Sequence, residues 1–264
     1  MLADDIIGKL HILPVEKLKS HEETIPFNVQ RLKEATLNLG RLVDPLIVDD
    51  RHNIVIDGNH RLSVLRSIKC PNAVCQMVDY SDPGIKLGSW YPVSKTVLPE
   101  EIDGFTPKKV EFGQGMEAIN SMKATFMYVK LVGGKKECWL YDCEEHTLSG
   151  LISHQRKFLS KLEGRDIIYA PDDTHEECLK QGYSVIYRRI YTKDEIVAEA
   201  NAGRQMPPKS TRHMIPGRII RLNMHLGWLA EPPEIAREMM VASLQKRLTD
   251  GSIRRYTEEV IVLY

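Results

Sequence analysis

One stretch, Ile54-Val55-Ile56-Asp57-Gly58-Asn59-His60-Arg61, constrains this chain more than any other. Three β-branched apolar residues read as a buried strand, and Asp57-Gly58 reads as its exit. Asn59 to about Lys69 reads as a helix, with Leu62, Leu65 and Ile68 on one face. A strand that opens straight into a helix leaves the first helical N–H groups without partners. Together with the helix dipole they make an anion site. Gly58 lets the backbone approach a ligand closely. Arg61 offers a planar fork suited to phosphate oxygens, and His60 adds a donor. Asp57 is a hard oxygen ligand beside that site, of the kind Mg²⁺ takes. Read alone, the same residues also describe a capped helix with a solvated arginine.

The elements around this stretch are short and well marked. Leu10–Leu13 reads as a strand closed by Pro14, and Pro45–Val48 as a strand returning through Asp50–Asn53 into Ile54. Asn28–Leu39 reads as an amphipathic helix with Val29, Leu32, Thr36 and Leu39 on one face and Gly40 as its stop. Ala73–Val78 is a further strand. Prolines at 99 and 107 suggest a linker beyond residue 97. After it, Thr125–Val132 and Glu137–Tyr141 flank Gly133-Gly134 as a hairpin. Helices are expected near Leu148–Leu162, Asp173–Lys180, Lys193–Ala202 and Glu234–Leu248. Strands are expected near Asp166–Tyr169, Ser184–Ile190, Arg218–Asn223 and Glu259–Leu263.

Charge narrows the function. The 264 residues hold 36 Lys+Arg and 36 Asp+Glu, for a formal net charge of zero. A general nucleic-acid binder depends on excess cations for phosphate affinity, so none is expected here. No run of about 18 apolar residues occurs, so no membrane span is expected. The acidic start, Met1-Leu2-Ala3-Asp4-Asp5, has no secretory pattern. Five scattered cysteines (Cys70, Cys75, Cys138, Cys143 and Cys178) then read as reduced thiols of a cytoplasmic protein. Buried thiols account for them better than a structural zinc.

Three further segments hold reactive side chains. Ser20-His21-Glu22-Glu23 precedes the first long helix; such a carboxylate pair is usually solvated surface. Lys209-Ser210-Thr211-Arg212-His213 gathers cations and hydroxyls after Pro207-Pro208, which suits a carboxylate or a phosphate but is also common in exposed loops. Ser89-Trp90-Tyr91-Pro92 reads more readily as a packed corner than as a substrate lid.

Taken together, these segments resemble the free L-serine kinases of the ParB/sulfiredoxin-like superfamily. The likeness runs through His21-Glu22, Val55–Arg61, Val78-Asp79-Tyr80 with Gly84-Ile85-Lys86, Trp90-Tyr91-Pro92, Pro208–His213 and Tyr256-Thr257-Glu258-Glu259-Val260. The middle third matches only loosely. Sulfiredoxins carry a reactive cysteine where Asn59 stands, and partition-type ParB proteins a Gly-Glu-Arg-Arg pattern that Asp57–Arg61 lacks.

The resemblance implies an α+β fold. A ParB/sulfiredoxin-like domain over 1–96 would bind nucleotide and carry catalysis. A second α/β domain over 97–264 would form a cleft with it, its 207–214 segment completing the site. The implied reaction is phosphorylation of the L-serine hydroxyl to O-phospho-L-serine with ATP or ADP and Mg²⁺, feeding cysteine, siderophore or related biosynthesis. Glu22 resembles the catalytic glutamate that accepts the hydroxyl proton. Asp57 resembles the acidic residue near metal and reacting phosphate. Gly58, Asn59, His60 and Arg61 resemble the phosphate-holding turn, and Trp90 the aromatic beside the amino acid. Lys209, Thr211, Arg212 and His213 resemble the segment that closes on substrate. The alternatives are a kinase for another small hydroxyl amino acid, such as threonine or homoserine, and a non-catalytic ParB-like nucleotide-binding regulator. Expected partners are serine and nucleotide, with no nucleic acid and no membrane. Leu226-Gly227-Trp228-Leu229 reads as a candidate interface patch.

Overall fold

The computed structural model describes residues 2–102 and 104–256. The strand expected at 259–263, and the 257–260 part of the Tyr256 segment, lie outside the described residues. The chain forms two compact units. The first comprises the described parts of Met1–Lys19, Thr24–Asp79 and Gly217–Tyr264; the second comprises Ser20–Glu23 and Tyr80–Pro216.

The first unit begins with helix α1 (Leu2–Lys9), strand β1 (Leu10–Pro14) and a short strand β2 (Lys19–Ser20) that reaches the unit's end. Helix α2 (Pro26–Leu39) starts two residues before the expected Asn28, because Pro26 can occupy a first helical position without losing a needed N–H. Thr36 is its buried residue, whereas Leu39, expected on the inner face, is 60% exposed. Strands β3 (Arg41–Leu42), β4 (Leu46–Asp49) and β5 (Ile54–Asp57), helix α3 (Asn59–Ser67) and strand β6 (Asn72–Val78) follow. The main sheet runs β1–β6–β4–β5–β2, with β4 parallel to β6 and antiparallel to β5.

The second unit holds strands β7 (Lys86–Gly88), β8 (Trp90–Ser94) and β9 (Lys108–Val110), helix α4 (Phe112–Asn120), and the hairpin β10 (Ala124–Val132) and β11 (Lys135–Asp142). Helix α5 (Leu148–Ser160), strand β12 (Ile168–Pro171), helix α6 (His175–Lys180), strand β13 (Ser184–Tyr187), helix α7 (Lys193–Asn201) and strand β14 (Arg212–Met214) complete it. Its six-stranded sheet is ordered β12–β8–β13–β10–β11–β9, and its strand pairs are antiparallel. The unit is therefore α+β rather than the expected α/β. The Gly133-Gly134 link between β10 and β11 is too short for a parallel crossover. Both faces of this sheet are covered. Along β10, Phe126 and Tyr128 enter one core with Phe158 of α5, and Met127 and Val129 enter the other with Ile119 of α4. That alternation is the period-2 signature of a strand.

The chain then returns to the first unit through strand β15 (Met224–His225) and helices α8 (Leu226–Leu229) and α9 (Pro233–Thr249). Leu222, Met224, Leu229, Ala236, Met240 and Leu244 join the core built by Leu10, Leu46, Val55, Leu62 and Val74. Leu226, Trp228 and their neighbours pack against that core, so the segment read as an interface patch is largely used internally. Buried side chains on β6 fasten the return. The Asn72 amide donates to the carbonyls of Leu229 (3.1 Å) and Glu231 (2.8 Å). Gln76 donates to the Gly217 carbonyl (3.0 Å) and accepts from the Ile219 N–H (2.8 Å).

The units thus divide the chain differently from a cut at residues 96 and 97. Strand β8, expected in the first domain, pairs with β12 and β13 of the second unit, and the tail completes the core of the first. The strand expected over Arg218–Asn223 is irregular, because Arg221 (φ +54°) and Asn223 (φ +56°) are left-handed and interrupt any extended run. Among the described residues, no helix is long and apolar enough to cross a membrane.

Candidate active site

The expected site residues fall into two clusters, one in each unit. In the first unit, β5 delivers Asp57, and Gly58 turns the chain into α3 with φ +104°. A Cβ at Gly58 would lie 2.8 Å from Leu46 Cδ2 and 3.1 Å from the Arg61 guanidinium, so both space and conformation require glycine. Arg61 donates to the Asp57 carboxylate and to the Pro45 carbonyl. Arg218, on the returning chain, reaches the same Asp57 oxygen. Two guanidinium groups on one carboxylate leave a local charge of +1 beside a helix N-terminus, a combination that favours an anion. The Arg61 fork is thus directed at protein oxygens. Asn59 is buried, and its amide donates to the Val55 carbonyl at 3.4 Å. The His60 ring accepts from the Ile25 N–H at 3.2 Å through Nε2. Asn59 and His60 therefore brace the turn with their side chains.

The second unit gathers residues far apart in sequence. Glu22 bridges to Met206 as parallel backbone, with Met206 N–H donating to the His21 carbonyl (2.8 Å) and Glu23 N–H to the Met206 carbonyl (2.9 Å). The two adjacent carboxylates part company here. Glu23 accepts from Arg156 Nε of α5 at 2.6 Å. Glu22 Oε1 accepts from the Ser210 N–H (2.8 Å), the Thr211 N–H (2.9 Å) and the Thr211 hydroxyl (2.9 Å). These bonds span 188 and 189 residues of chain. Burial pushes the Tyr169 phenol up, with the charge of Glu22 a smaller contribution in the same direction.

Trp90 forms the other side of this cluster. The Lys209 ammonium lies 5.4 Å from its ring centroid and the Arg212 guanidinium 5.8 Å. Lys209 holds a left-handed φ of +58°, a conformation that costs a non-glycine residue about 1 kcal/mol or more. Arg212 is steadied by Asp173 at 2.8 Å and Asp172 at 3.5 Å. Asp172 is seated in turn on Gly88, where a Cβ would lie 2.4 Å from its Oδ1, and accepts from the Ser89 N–H at 3.1 Å. His213 Nε2 meets the Tyr80 hydroxyl at 2.6 Å. The Trp90-Tyr91-Pro92 segment, read as a corner, is strand: its ladder with β12 covers Trp90–Val93, while that with β13 covers only Val93 and Ser94, so Pro92 needs no donor on the β13 side.

Several participants escaped the sequence. Arg218 was expected only as the first residue of a strand over Arg218–Asn223. Asp173 read as an ordinary helix start, and Asp172 lay just outside that helix. Tyr80 read only as a strand end. Among the described residues, no group of three or more His, Cys, Asp or Glu side chains gathers as a metal site. All five cysteines are free thiols, and burial pushes those of Cys75, Cys138 and Cys143 up, away from the thiolate that metal binding uses.

No protein-family model matches the chain. An ATP-dependent L-serine kinase of Staphylothermus marinus is 29% identical over 239 residues, covering 81% of this chain and 90% of the relative. The ADP-dependent L-serine kinase SerK of Thermococcus kodakarensis is 24% identical over 212 residues, covering 77% and 86%. The solved structure of a free serine kinase in complex with AMP superposes with a TM-score of 0.70 at 21% identity, covering 84% of this chain and 93% of that one. By sequence and by fold, this chain is related to the free L-serine kinases. The likeness to the L-serine kinase relatives covers most of each protein, so it belongs to the whole architecture and not to one motif.

Proposed function

We propose that this protein is a kinase that transfers a phosphoryl group from ATP or ADP to the hydroxyl of free L-serine. The bond between the serine oxygen and phosphorus forms, and the terminal phosphoanhydride bond of the donor breaks. The hydroxyl proton passes to Glu22, and ADP or AMP leaves with the anhydride electron pair. The observation that carries this reading is the convergence within one unit of Glu22, Trp90, Lys209 and Thr211–His213, the residues whose pattern resembles serine kinases.

A serine hydroxyl is a weak nucleophile, so a carboxylate within hydrogen-bond reach accelerates its attack, typically by about 10²–10⁴-fold. Glu22 serves as that base. Lys209 and Arg212, held on the Trp90 face, attract the amino-acid carboxylate or the product phosphate. The Gly58–Arg61 turn takes the nucleotide phosphates, with Arg218 adding positive charge. We infer that this turn belongs to a ParB/sulfiredoxin-like domain. Phosphoryl transfer asks a protein mainly for positioning and charge stabilisation, and these groups are of that kind.

Mg²⁺ is commonly held by one or two carboxylates plus substrate phosphates, and Asp57, the carboxylate at the phosphate turn, would hold it in exchange for part of its contact with Arg61 and Arg218. When bound, Mg²⁺ would neutralise charge on the phosphate oxygens. ATP and ADP both remain donors in this proposal, since the related kinases are named for either. The product would feed cysteine, siderophore or related biosynthesis in the cytoplasm.

The test is the purified full chain with L-serine, Mg²⁺ and either ATP or ADP, read as O-phosphoserine by mass spectrometry. Product with serine and little with threonine or homoserine is the expected result. No product with either donor, while nucleotide still binds, overturns the reading.

A further inference from the structure

His21 sits beside Glu22 and is 2% exposed. Its Nε2 lies 2.9 Å from the Thr211 hydroxyl, across 190 residues of chain. The same hydroxyl lies 2.9 Å from Glu22 Oε1. An ionised carboxylate only accepts, and a threonine hydroxyl has a single hydrogen. That hydrogen must therefore point to Glu22. The Thr211 oxygen is left to accept, so His21 Nε2 must carry a proton. The polarity of the chain from His21 through Thr211 to Glu22 is fixed by this accounting alone.

Its effect falls on one oxygen. Oε1 already receives the N–H groups of Ser210 and Thr211 as well as the Thr211 hydroxyl. The Ser210 hydroxyl lies 3.3 Å from it but has a closer acceptor, the Pro207 carbonyl at 2.7 Å. Three donors occupy the lone pairs of Oε1, so Oε2 is the oxygen able to take a proton. The relay is anchored from behind: the His21 ring stands edge-on to His213 with centroids 5.2 Å apart, and His213 meets Tyr80.

We propose that His21 is a positioning residue that acts through the Thr211 hydroxyl to hold the Glu22 carboxylate with Oε2 as its basic atom. On the kinase reading given above, His21 contributes to turnover without touching serine or nucleotide. A misplaced base can cost up to about 10²-fold in rate.

The test has two readouts. The first is ¹⁵N–¹H NMR of histidine-labelled full-length protein, with the His21 signal assigned by its loss in His21→Gln. A proton on Nε2 is expected; an Nε2 without one overturns the proposal, and this readout is independent of any kinase activity. The second is a double-mutant cycle. His21→Leu and Thr211→Val should each lower kcat about tenfold or more with nucleotide affinity unchanged. The double variant should be no slower than the worse single variant, within about twofold, because both remove one relay. His21→Gln, which can still present a donor, and Thr211→Ser should recover most of the rate. Multiplying single effects, or His21→Gln as slow as His21→Leu, overturns the proposal. If His21→Leu fails to fold, the His21→Gln, Thr211→Val and Thr211→Ser variants still decide it. A wild-type protein that makes no phosphoserine removes the kinase reading, while the NMR result continues to decide the relay.

Discussion

The two clusters are built in opposite ways. The Asp57–Arg61 turn is local: five consecutive residues make it, and its shape is set by one glycine at φ +104° and the helix that follows. The Glu22 cluster is assembled: a loop carboxylate accepts hydrogen bonds from a segment nearly 190 residues away, and a strand tryptophan joins that segment through two cation–π contacts. The Gly58 conformation sets the first and side chains such as Asn59 and His60 only brace it, so single side-chain changes at those bracing positions should mainly tune affinity. Side-chain bonds hold the second, so its chemistry is exposed to every partner in the network.

The sharpest way to break this contrast is Glu22→Gln. Turnover should fall by about 10²-fold or more as a lost general base, with nucleotide binding by calorimetry unchanged. Retained turnover would remove Glu22 from its role. Gly58→Ala probes the local design. A side chain at that φ, with its Cβ 2.8 Å from Leu46, should cost about 1–3 kcal/mol in denaturant titrations and weaken nucleotide binding as well. An unchanged midpoint would show that the turn relaxes freely. Asn72→Ala leaves two carbonyls of the returning chain without their buried donor and should cost about 1–3 kcal/mol, with kcat at low temperature unaltered. A fall in kcat without a fall in stability would count against that purely structural role. The smallest effect is expected from Arg218→Ala. Its ion pair with Asp57 is more than a third exposed on the arginine side, so stability should change by less than about 1 kcal/mol. Nucleotide affinity should fall severalfold, and an unchanged affinity would leave Arg61 as the cluster's working cation.

What could be read from sequence follows the same division. The β5 strand, Gly58 and α3 were legible because strand period, glycine and helix period all lie within fifteen residues. The β10–β11 hairpin was legible through Gly133-Gly134. The role of the tail was not. Asn72 and Gln76 bind backbone carbonyls and N–H groups of the returning chain, and backbone partners carry no sequence signature. Strand β8 read as a corner because Pro92 masks a strand whose ladder on the β13 side is only two residues long. At the candidate site, resemblance pointed to Glu22 and Thr211 separately. That one donates to the other, with His21 behind, depends on side-chain directions that residue types do not encode.

The return of the tail also bears on how the chain is made. A ribosome makes residues 80–216, nearly all of the second unit, before Leu222, Met224, Leu229, Ala236, Met240 and Leu244 exist. The first unit is begun first and finished last. During that interval Leu10, Leu46, Val55 and Val74 lack part of their cover, and Asn72 and Gln76 lack the backbone groups they will bind. Chains truncated before residue 217 and released should therefore hold a settled second unit and an open first one, the reverse of the usual N-terminal-first order.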